Sequence, residues 1–351
     1  MDNSSFFIYC NSGDFKIPIY TAFYIVTFLV GFISNTVALY VFLCLLPRNS
    51  PSCIFMTNLA ISDLLFTLTL PMRITYFLRR GEWIFGDPLC GISIFAFYVN
   101  MYSSILFLTA VSISRYVAIL RPMDVKRIFN WRRCVIISLA IWALVSSSSS
   151  PFLLAKSYHS NGTIRCLEPQ NQTYLGRVLI MNYTGLVIGF ALPFIVITVC
   201  CIRIICQLQG LKTQLAGART PRGRTMALVS MVFVVFLVCF FPYHVVRTVH
   251  LHYAASFRHD CALTIMMQKF VVVSLCLAAS NSCFNPILYY FAGTGFRHAL
   301  RESLRRSRIV SSRKSVENSI FEASPGAESP VFGDPQEGQK IQVPLQQLSN
   351  S

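Results

Sequence analysis

Residues 226–240, MALVSMVFVVFLVCF, carry no charge, and they run straight into FPYHVVRTVHLHY at 241–253. The first stretch is apolar on every side, as a helix surrounded by lipid must be. The second places His244, Arg247, His250 and His252 on its continuation, with Pro242 at the join. Tyr243, Arg247 and His250 follow an i, i+4, i+7 spacing, so they share one helical face. A span that begins in lipid and ends on a polar cavity satisfies both halves. Pro242 lacks an N–H and clashes with the preceding turn, which predicts a kink between them.

The rest of the chain fits the same solvent. Of 351 residues 54% are hydrophobic and 13% charged, with a mean hydropathy of +0.56, whereas soluble domains carry about 25% charged residues. Seven apolar runs centre on 19–46, 53–78, 88–120, 132–154, 176–206, 224–252 and 267–291. Lipid offers no partner to a free N–H or C=O, and runs this long exceed β-barrel strands, so they are helices. No basic stretch followed by an apolar core and a cleavage site opens the chain, so the first span is read as the insertion signal. The predicted fold is an all-α membrane protein, a seven-transmembrane helix bundle. Residues 1–18 form a short outer segment, 19–306 the bundle with an amphipathic inner helix, and 307–351 a disordered tail rich in Ser, Pro, Glu and Gln. In the inner helix Phe296, Leu300 and Leu304 recur every four residues between cations, a pattern suited to the membrane surface.

Orientation follows from the cations. Arg48, then Lys126, Arg127, Arg132 and Arg133, then Lys212, Arg219, Arg222 and Arg224 mark one side, joined by the arginine-rich tail. That side is cytoplasmic, so the N-terminus is extracellular and the protein is expected in the plasma membrane. The net charge of +16 is mostly this asymmetry; cations that flank apolar spans exclude a nucleic-acid role. Sequons at Asn3, Asn161 and Asn171 all fall outside, as glycosylation requires. Asn182 also opens a sequon, but within a span. Cys10, Cys90, Cys166 and Cys261 lie on the oxidising side, and four cysteines allow three pairings. Internal repeats and paired interrupted helices, which would mark a transporter, are missing from the sequence. It also lacks H-E-x-x-H and paired buried acids, so an enzyme is not expected.

Asp63 is an acid in the middle of a span, a placement that costs about 2.5–3.5 kcal/mol on insertion scales and marks function. Its candidate polar neighbours are Asn100 and Ser104 on the third span and Asn281, Ser282 and Asn285 on the seventh; Asn100 and Ser104 are four residues apart, as are Asn281 and Asn285, so each pair shares a face. Arg73 lies ten residues beyond Asp63, roughly 15 Å nearer the outside. With Arg247, and with Tyr98, Tyr102 and Gln268, it outlines an outer cavity of aromatics and cations. Two arginines on one cavity call for an anion between them, and a guanidinium binds carboxylate or phosphate with two prongs. Position 96 or 97 of the third span is Ala or Phe rather than an acid, which argues against an amine ligand.

The motifs GFISNTVALY (Asn35), NLAISDLLF (Asp63), SISRYVAI (Arg115), IWALV (Trp142), ALPF (Pro193), CFFPY (Pro242) and NPILY (Asn285–Tyr289) occur in order. Over about 19–306 the chain resembles the rhodopsin-like G-protein-coupled receptors. SSPFLLAK, CLEPQNQT, FPYHVVRTVHLHY, FYVNMYSSI and MQKFVVVSLCLAASNSCFNP resemble the cysteinyl leukotriene branch, with a lean towards its type 1 form. Asn285 and Ser114 depart from that form and leave the subtype open. The resemblance implies disulfides Cys90–Cys166 and Cys10–Cys261. It implies a sodium ion held by Asp63, Asn100, Ser104, Asn281 and Asn285, with no other cofactor. It implies an anionic lipid-peptide ligand met by Arg73, Tyr98, Tyr102, Ser149, Tyr243, Arg247 and Gln268. A Gq-type heterotrimeric G protein would respond through Arg115, Pro242 and Tyr289, with arrestin engaging the tail. The acid that usually precedes the arginine is replaced by Ser114, and Cys201 stands where relatives place a tyrosine. These departures imply some ligand-independent signalling. A nucleotide or another anionic lipid is the alternative ligand. Nucleotide receptors add a deep cation on the seventh span, where this chain has Leu275.

Overall fold

The computed structural model describes residues 13–46, 50–160, 162–166, 172–210, 221–255, 260–292, 295–303 and 305. Seven helices are long and apolar enough to cross a membrane: α1 (Phe15–Leu45), α2 (Pro51–Leu78), α3 (Gly86–Leu120), α4 (Trp131–Leu154), α5 (Val178–Gln207), α6 (Gly223–Ala254) and α7 (Cys261–Phe291). Residues 295–303 are helical and follow as α8. The apolar core of α2 and of α3 is 61% buried, against 17% for α4 and 28% for α1, α5 and α7. α2 and α3 are therefore the hub, and the outer faces of the others are left for lipid. On α4 that face carries Ile136, Leu139 and Leu144, all more than half exposed.

Two helices start earlier than the apolar runs suggest. The helix of α1 begins at Gly13, inside the segment read as an outer tail; a backbone ladder does not stop where hydropathy does. α7 begins at Cys261 rather than 267 because Asp260 caps it, its side chain accepting from the Ala262 N–H at 3.0 Å.

Prolines account for the irregular turns. A proline offers no N–H and its ring displaces the carbonyl four residues back. In α2 the regular helix stops at Thr67 and resumes at Leu70, around Pro71. There Thr69 donates both its N–H (2.9 Å) and its hydroxyl (2.8 Å) to the Phe66 carbonyl. Ahead of Pro193 and Pro242 the ladder widens into π-helical turns, at Gly185–Ala191 and Phe236–Phe240. The kink expected at Pro242 is thus a five-residue bulge on its inner side. Pro286 strips the Ser282 carbonyl, and here α1 supplies the donor: Asn35 Nδ2 lies 2.8 Å from it. The Tyr289 hydroxyl returns a bond of 3.3 Å to Asn35 Oδ1. Trp142 Nε1 donates to Asn58 Oδ1 at 2.9 Å and ties the peripheral α4 to α2.

The outer end is closed by an element read from sequence only as a loop. Strands β1 (Tyr158–Ser160) and β2 (Thr163–Arg165) form an antiparallel hairpin, turning at Gly162 with φ 75°. The Cys90–Cys166 disulfide fastens it to α3. Trp83, 1% exposed, packs with that disulfide and Tyr76. Its backbone N–H reaches the Ile164 carbonyl at 2.7 Å. Cys261 is also disulfide-bonded; Cys10 lies outside the described residues, as do Asn3, Asn161, Asn171 and 306–351. Asn182 lies within α5 and donates to Thr248 on α6 at 2.9 Å. In α8 Phe296 is buried against Phe42 and Tyr289, and Leu300 is half-buried; the side chain of Leu304 lies outside the described residues.

Asn35→Ala leaves the Ser282 carbonyl and the Tyr289 hydroxyl without these partners in a dry core, a loss of about 1–3 kcal/mol. The melting temperature of the purified protein in detergent is expected to fall by about 2 °C or more. Unchanged melting would show that Pro286 needs no help from α1.

Candidate functional site

The first polar cluster is at mid-membrane. Asp63 is 0% exposed. Its Oδ1 accepts from Asn100 Nδ2 at 2.8 Å and its Oδ2 from Asn285 Nδ2 at 2.8 Å. Asn281 joins the same group: its Nδ2 lies 3.3 Å from Asn100 Oδ1, and its Oδ1 accepts from Ser104 Oγ at 3.2 Å. Ser62 and Ser103 extend the network between α2 and α3. The structure thus brings Asn100, Ser104, Asn281 and Asn285 together around Asp63. Three helices, α2, α3 and α7, meet here through side chains alone.

This cluster has the donor chemistry for a small hard cation. A carboxylate accepts roughly four hydrogen bonds, and Asp63 receives two. Asn285 Oδ1 is buried with no hydrogen-bond partner. Among the described residues no group of three His, Cys, Asp or Glu side chains could hold a metal, so a transition-metal centre is not what these oxygens form.

The second cluster lies towards the outside. Arg73 is buried at 7% exposure, two residues past Pro71. Its Nη2 donates to the Ser93 carbonyl at 2.6 Å, and its guanidinium sits 5.6 Å from the centre of the Phe97 ring. Phe97 also meets Tyr243 of α6 edge-on at 6.2 Å, so one ring connects the buried arginine to α6. Tyr243 and Tyr98 approach hydroxyl to hydroxyl at 3.5 Å, and Tyr98 stacks on Phe152 at 4.0 Å and 8°. Arg247 is half-buried, and its charge reaches Tyr102, Tyr243 and His250. Ser149 is buried at the end of the regular part of α4, three residues before Phe152. Gln268 is half-buried two turns into α7.

Sequence reasoning missed several members of this cluster. Phe152 stood in a quoted stretch, yet nothing in its spacing announced a stack on Tyr98. His250, on the same helical face as Tyr243 and Arg247, is half-buried. His244 is 1% exposed and packs against Phe190 at 4.5 Å.

At the cytoplasmic end Ser114 is buried and its hydroxyl donates to the Val111 carbonyl at 2.8 Å. It serves its own helix, and Arg115 next to it is half-buried. Cys201 is buried with Ile204 and Val229. Phe240, beside Pro242, is fully buried and meets Phe236 edge-on at 5.6 Å. Tyr289 is held towards α1 and α8 by Asn35, Phe42 and Phe296.

Seven spans, a disulfide from α3 to the outer hairpin, a buried mid-membrane acid network and a proline-broken α6 define one class of protein. Residues 34–289 match the family model of the 7 transmembrane receptor (rhodopsin family), and the chain belongs to that family. Among individual proteins it is 41% identical over 295 residues to the cysteinyl leukotriene receptor 1 of Cavia porcellus, covering 83% of this chain and 86% of that one. It is 39% identical over 305 residues to the cysteinyl leukotriene receptor 2 of Sus scrofa, covering 87% of each. Against the lysophosphatidic acid receptor 6 of Homo sapiens the identity is 34% over 315 residues, covering 87% and 90%. The chain is thus a G-protein-coupled receptor of this branch, a multi-pass plasma-membrane protein and not an enzyme.

The geometry at Tyr98 separates two contributions. Its 3.5 Å hydroxyl contact is at the limit of a hydrogen bond, while its ring stack is close. Tyr98→Phe is expected to change thermal stability by less than about 0.5 kcal/mol, and Tyr98→Ala to cost about 3 kcal/mol. Equal losses in the two variants would mean that the hydroxyl, not the ring, fixes this side chain.

Proposed function

We propose that this receptor binds a cysteinyl leukotriene, an anionic fatty-acid chain with a cysteine-containing peptide head, and signals through a Gq-type G protein to calcium release. One observation carries the reading. Phe97 lies against both the buried Arg73 guanidinium, 5.6 Å from its ring centre, and the Tyr243 ring at 6.2 Å, and half-buried Arg247 stands one turn beyond Tyr243 on α6. A carboxylate close to either guanidinium gains about 4 kcal/mol at an effective dielectric near 20, before desolvation. The rings, with Ser149 and Gln268 at the margins, would pack the apolar chain and orient the head. The names of the relatives support the same ligand class.

A second reading is a phosphate-bearing lipid, favoured by the likeness to a lysophosphatidic acid receptor. It uses the same cations. A nucleoside triphosphate fits less well, because the deep position on α7 is Leu275, packed in the apolar core.

Asp63, Ser104, Asn281 and Asn285, with Asn100 beside them, would hold a sodium ion, which would supply positive charge against the buried carboxylate and favour the resting arrangement. Ser114 offers Arg115 no carboxylate, so the resting state loses one charge pair that an acid at that position would supply. Both effects concern the balance between two states, which shifts only by the difference in affinity or pairing between them.

In cells expressing the receptor, cysteinyl leukotrienes are expected to raise calcium. Arg247→Ala should weaken agonist binding at least about tenfold, a loss of about 1.4 kcal/mol, with surface expression intact. A response only to nucleotides or lysophospholipids overturns the ligand choice, and equal binding by Arg247→Ala removes that residue from the site. In membranes, sodium is expected to lower basal signalling of the unsubstituted receptor and not of Asp63→Asn, while Ser114→Asp lowers it at any sodium level. A sodium response that survives in Asp63→Asn rules out this ion site, and unchanged basal signalling in Ser114→Asp dismisses the missing acid.

A further inference from the structure

Gly185 and Gly189 are one turn apart on α5, and Pro193 follows one turn later. Pro193 strips the Gly189 carbonyl of its helical donor, and the ladder widens over Gly185–Ala191. The widened turn faces Tyr102 of α3. A Cβ placed on Gly189 would lie 2.6 Å and 2.7 Å from ring carbons of Tyr102, and one on Gly185 would overlap the Tyr102 hydroxyl. Any side chain at either position therefore has to move that ring. Alanine is the better helix former, so local propensity gives no reason for glycine here.

A separate observation marks this corner as a place for a ligand group. His244 of α6 lies across from Tyr102, with ring centres 5.9 Å apart. It is 1% exposed, and its Nε2 has no hydrogen-bond partner. A buried, unsatisfied ring nitrogen costs about as much as a lost hydrogen bond. The Tyr102 hydroxyl lies against Gly185 of α5, and its ring faces His244 from α3.

We propose that Gly185 and Gly189 are positioning residues of the ligand site: they form a side-chain-free seat on α5 that holds Tyr102 opposite His244, and so shape a polar subsite where a hydrogen-bonding group of the ligand meets His244 Nε2. This rests on the ligand reading above. α5 contributes shape to the site and no side chain, and its wall is completed by a tyrosine from α3. The glycines act through Tyr102, so their effect must vanish when Tyr102 is cut back.

The test uses the full-length receptor in two measurements. Melting without ligand compares Gly189→Ala in the unsubstituted and the Tyr102→Leu backgrounds. A fall of at least about 2 °C is expected with Tyr102 present, and no fall, or a rise, with leucine there. Equal falls in both backgrounds overturn the seat. Saturation binding of a tritiated cysteinyl leukotriene then compares Gly185→Ala with Gly185→Ala/Tyr102→Phe. Gly185→Ala alone is expected to weaken binding at least about tenfold, and the double variant to match Tyr102→Phe within about threefold. No loss, or the same loss in both backgrounds, refutes the positioning role while leaving the ligand reading intact. Failure of the unsubstituted receptor to bind the probe refutes that reading instead, and the ligand-free melting comparison still decides the seat.

Discussion

A backbone carbonyl in hydrocarbon has no water to bond to, and each proline inside a span of this bundle deprives one carbonyl of its helical donor. Much else is arranged around that constraint. At Pro193 and Pro242 the chain answers with a widened turn and at Pro286 with an asparagine from another helix, while just ahead of Pro71 Thr69 folds back onto the Phe66 carbonyl. The side chains of the two candidate clusters gather at the same places. Arg73 follows Pro71, Tyr102 lies against the turn before Pro193, Tyr243 and Arg247 follow Pro242, and Asn281 and Asn285 flank the approach to Pro286. Irregular backbone turns side chains off the regular 3.6-residue pattern, and that is how polar groups are brought inward from helices whose other faces meet lipid.

The buried charges are handled differently at each depth. Asp63 meets amides and a serine network, which can be donors to the carboxylate without adding a second charge to desolvate. Arg73 donates from Nη2 to a carbonyl and lies over a ring, while its Nε is buried without a hydrogen-bond partner. Neither is matched by a fixed opposite charge. A buried ion pair would hold its helices rigidly, since breaking one costs about 3–5 kcal/mol. Neutral partners hold the charge while leaving room for a ligand or an ion to be the counter-charge.

Much of this was legible before the structure. The seven spans follow from apolar runs, and Asp63, Arg73 and Arg247 stand out because charges are rare in such runs. The i, i+4 spacings of Asn100 with Ser104 and Asn281 with Asn285 correctly placed four residues around one acid. What could not be read has local physical causes. Helix ends at Gly13 and Cys261 depend on ladder continuation and an Asp260 cap, to which hydropathy is blind. The outer hairpin has strands of three residues, too short for an alternating pattern to register. Gly185 and Gly189 look like ordinary weak points of a helix until the partner ring on α3 is seen. The widened turn at Phe236–Phe240 was not legible either, because a proline signals a break without saying how many residues it absorbs.

That bulge decides how binding can become signalling. Arg73 is anchored: its carbonyl partner and its ring both belong to α3, the hub helix. Arg247 is on the outer half of α6, beyond the widened turn and Pro242. An anion that engages both joins a fixed cation to one on a hinged segment. It can favour one arrangement of α6 only to the extent that it binds that arrangement better. The geometry supplies such a difference, because moving the outer half changes the reach from Arg247 to the anion while Arg73 stays in place. The inner half, 226–235, is apolar apart from Ser230, so lipid and apolar neighbours resist its displacement little through directional bonds. The ladder is already loosened between the two halves. A shift on the outer side therefore does not have to break a regular helix to be felt on the cytoplasmic side, where Arg115 stands next to a serine in place of an acid.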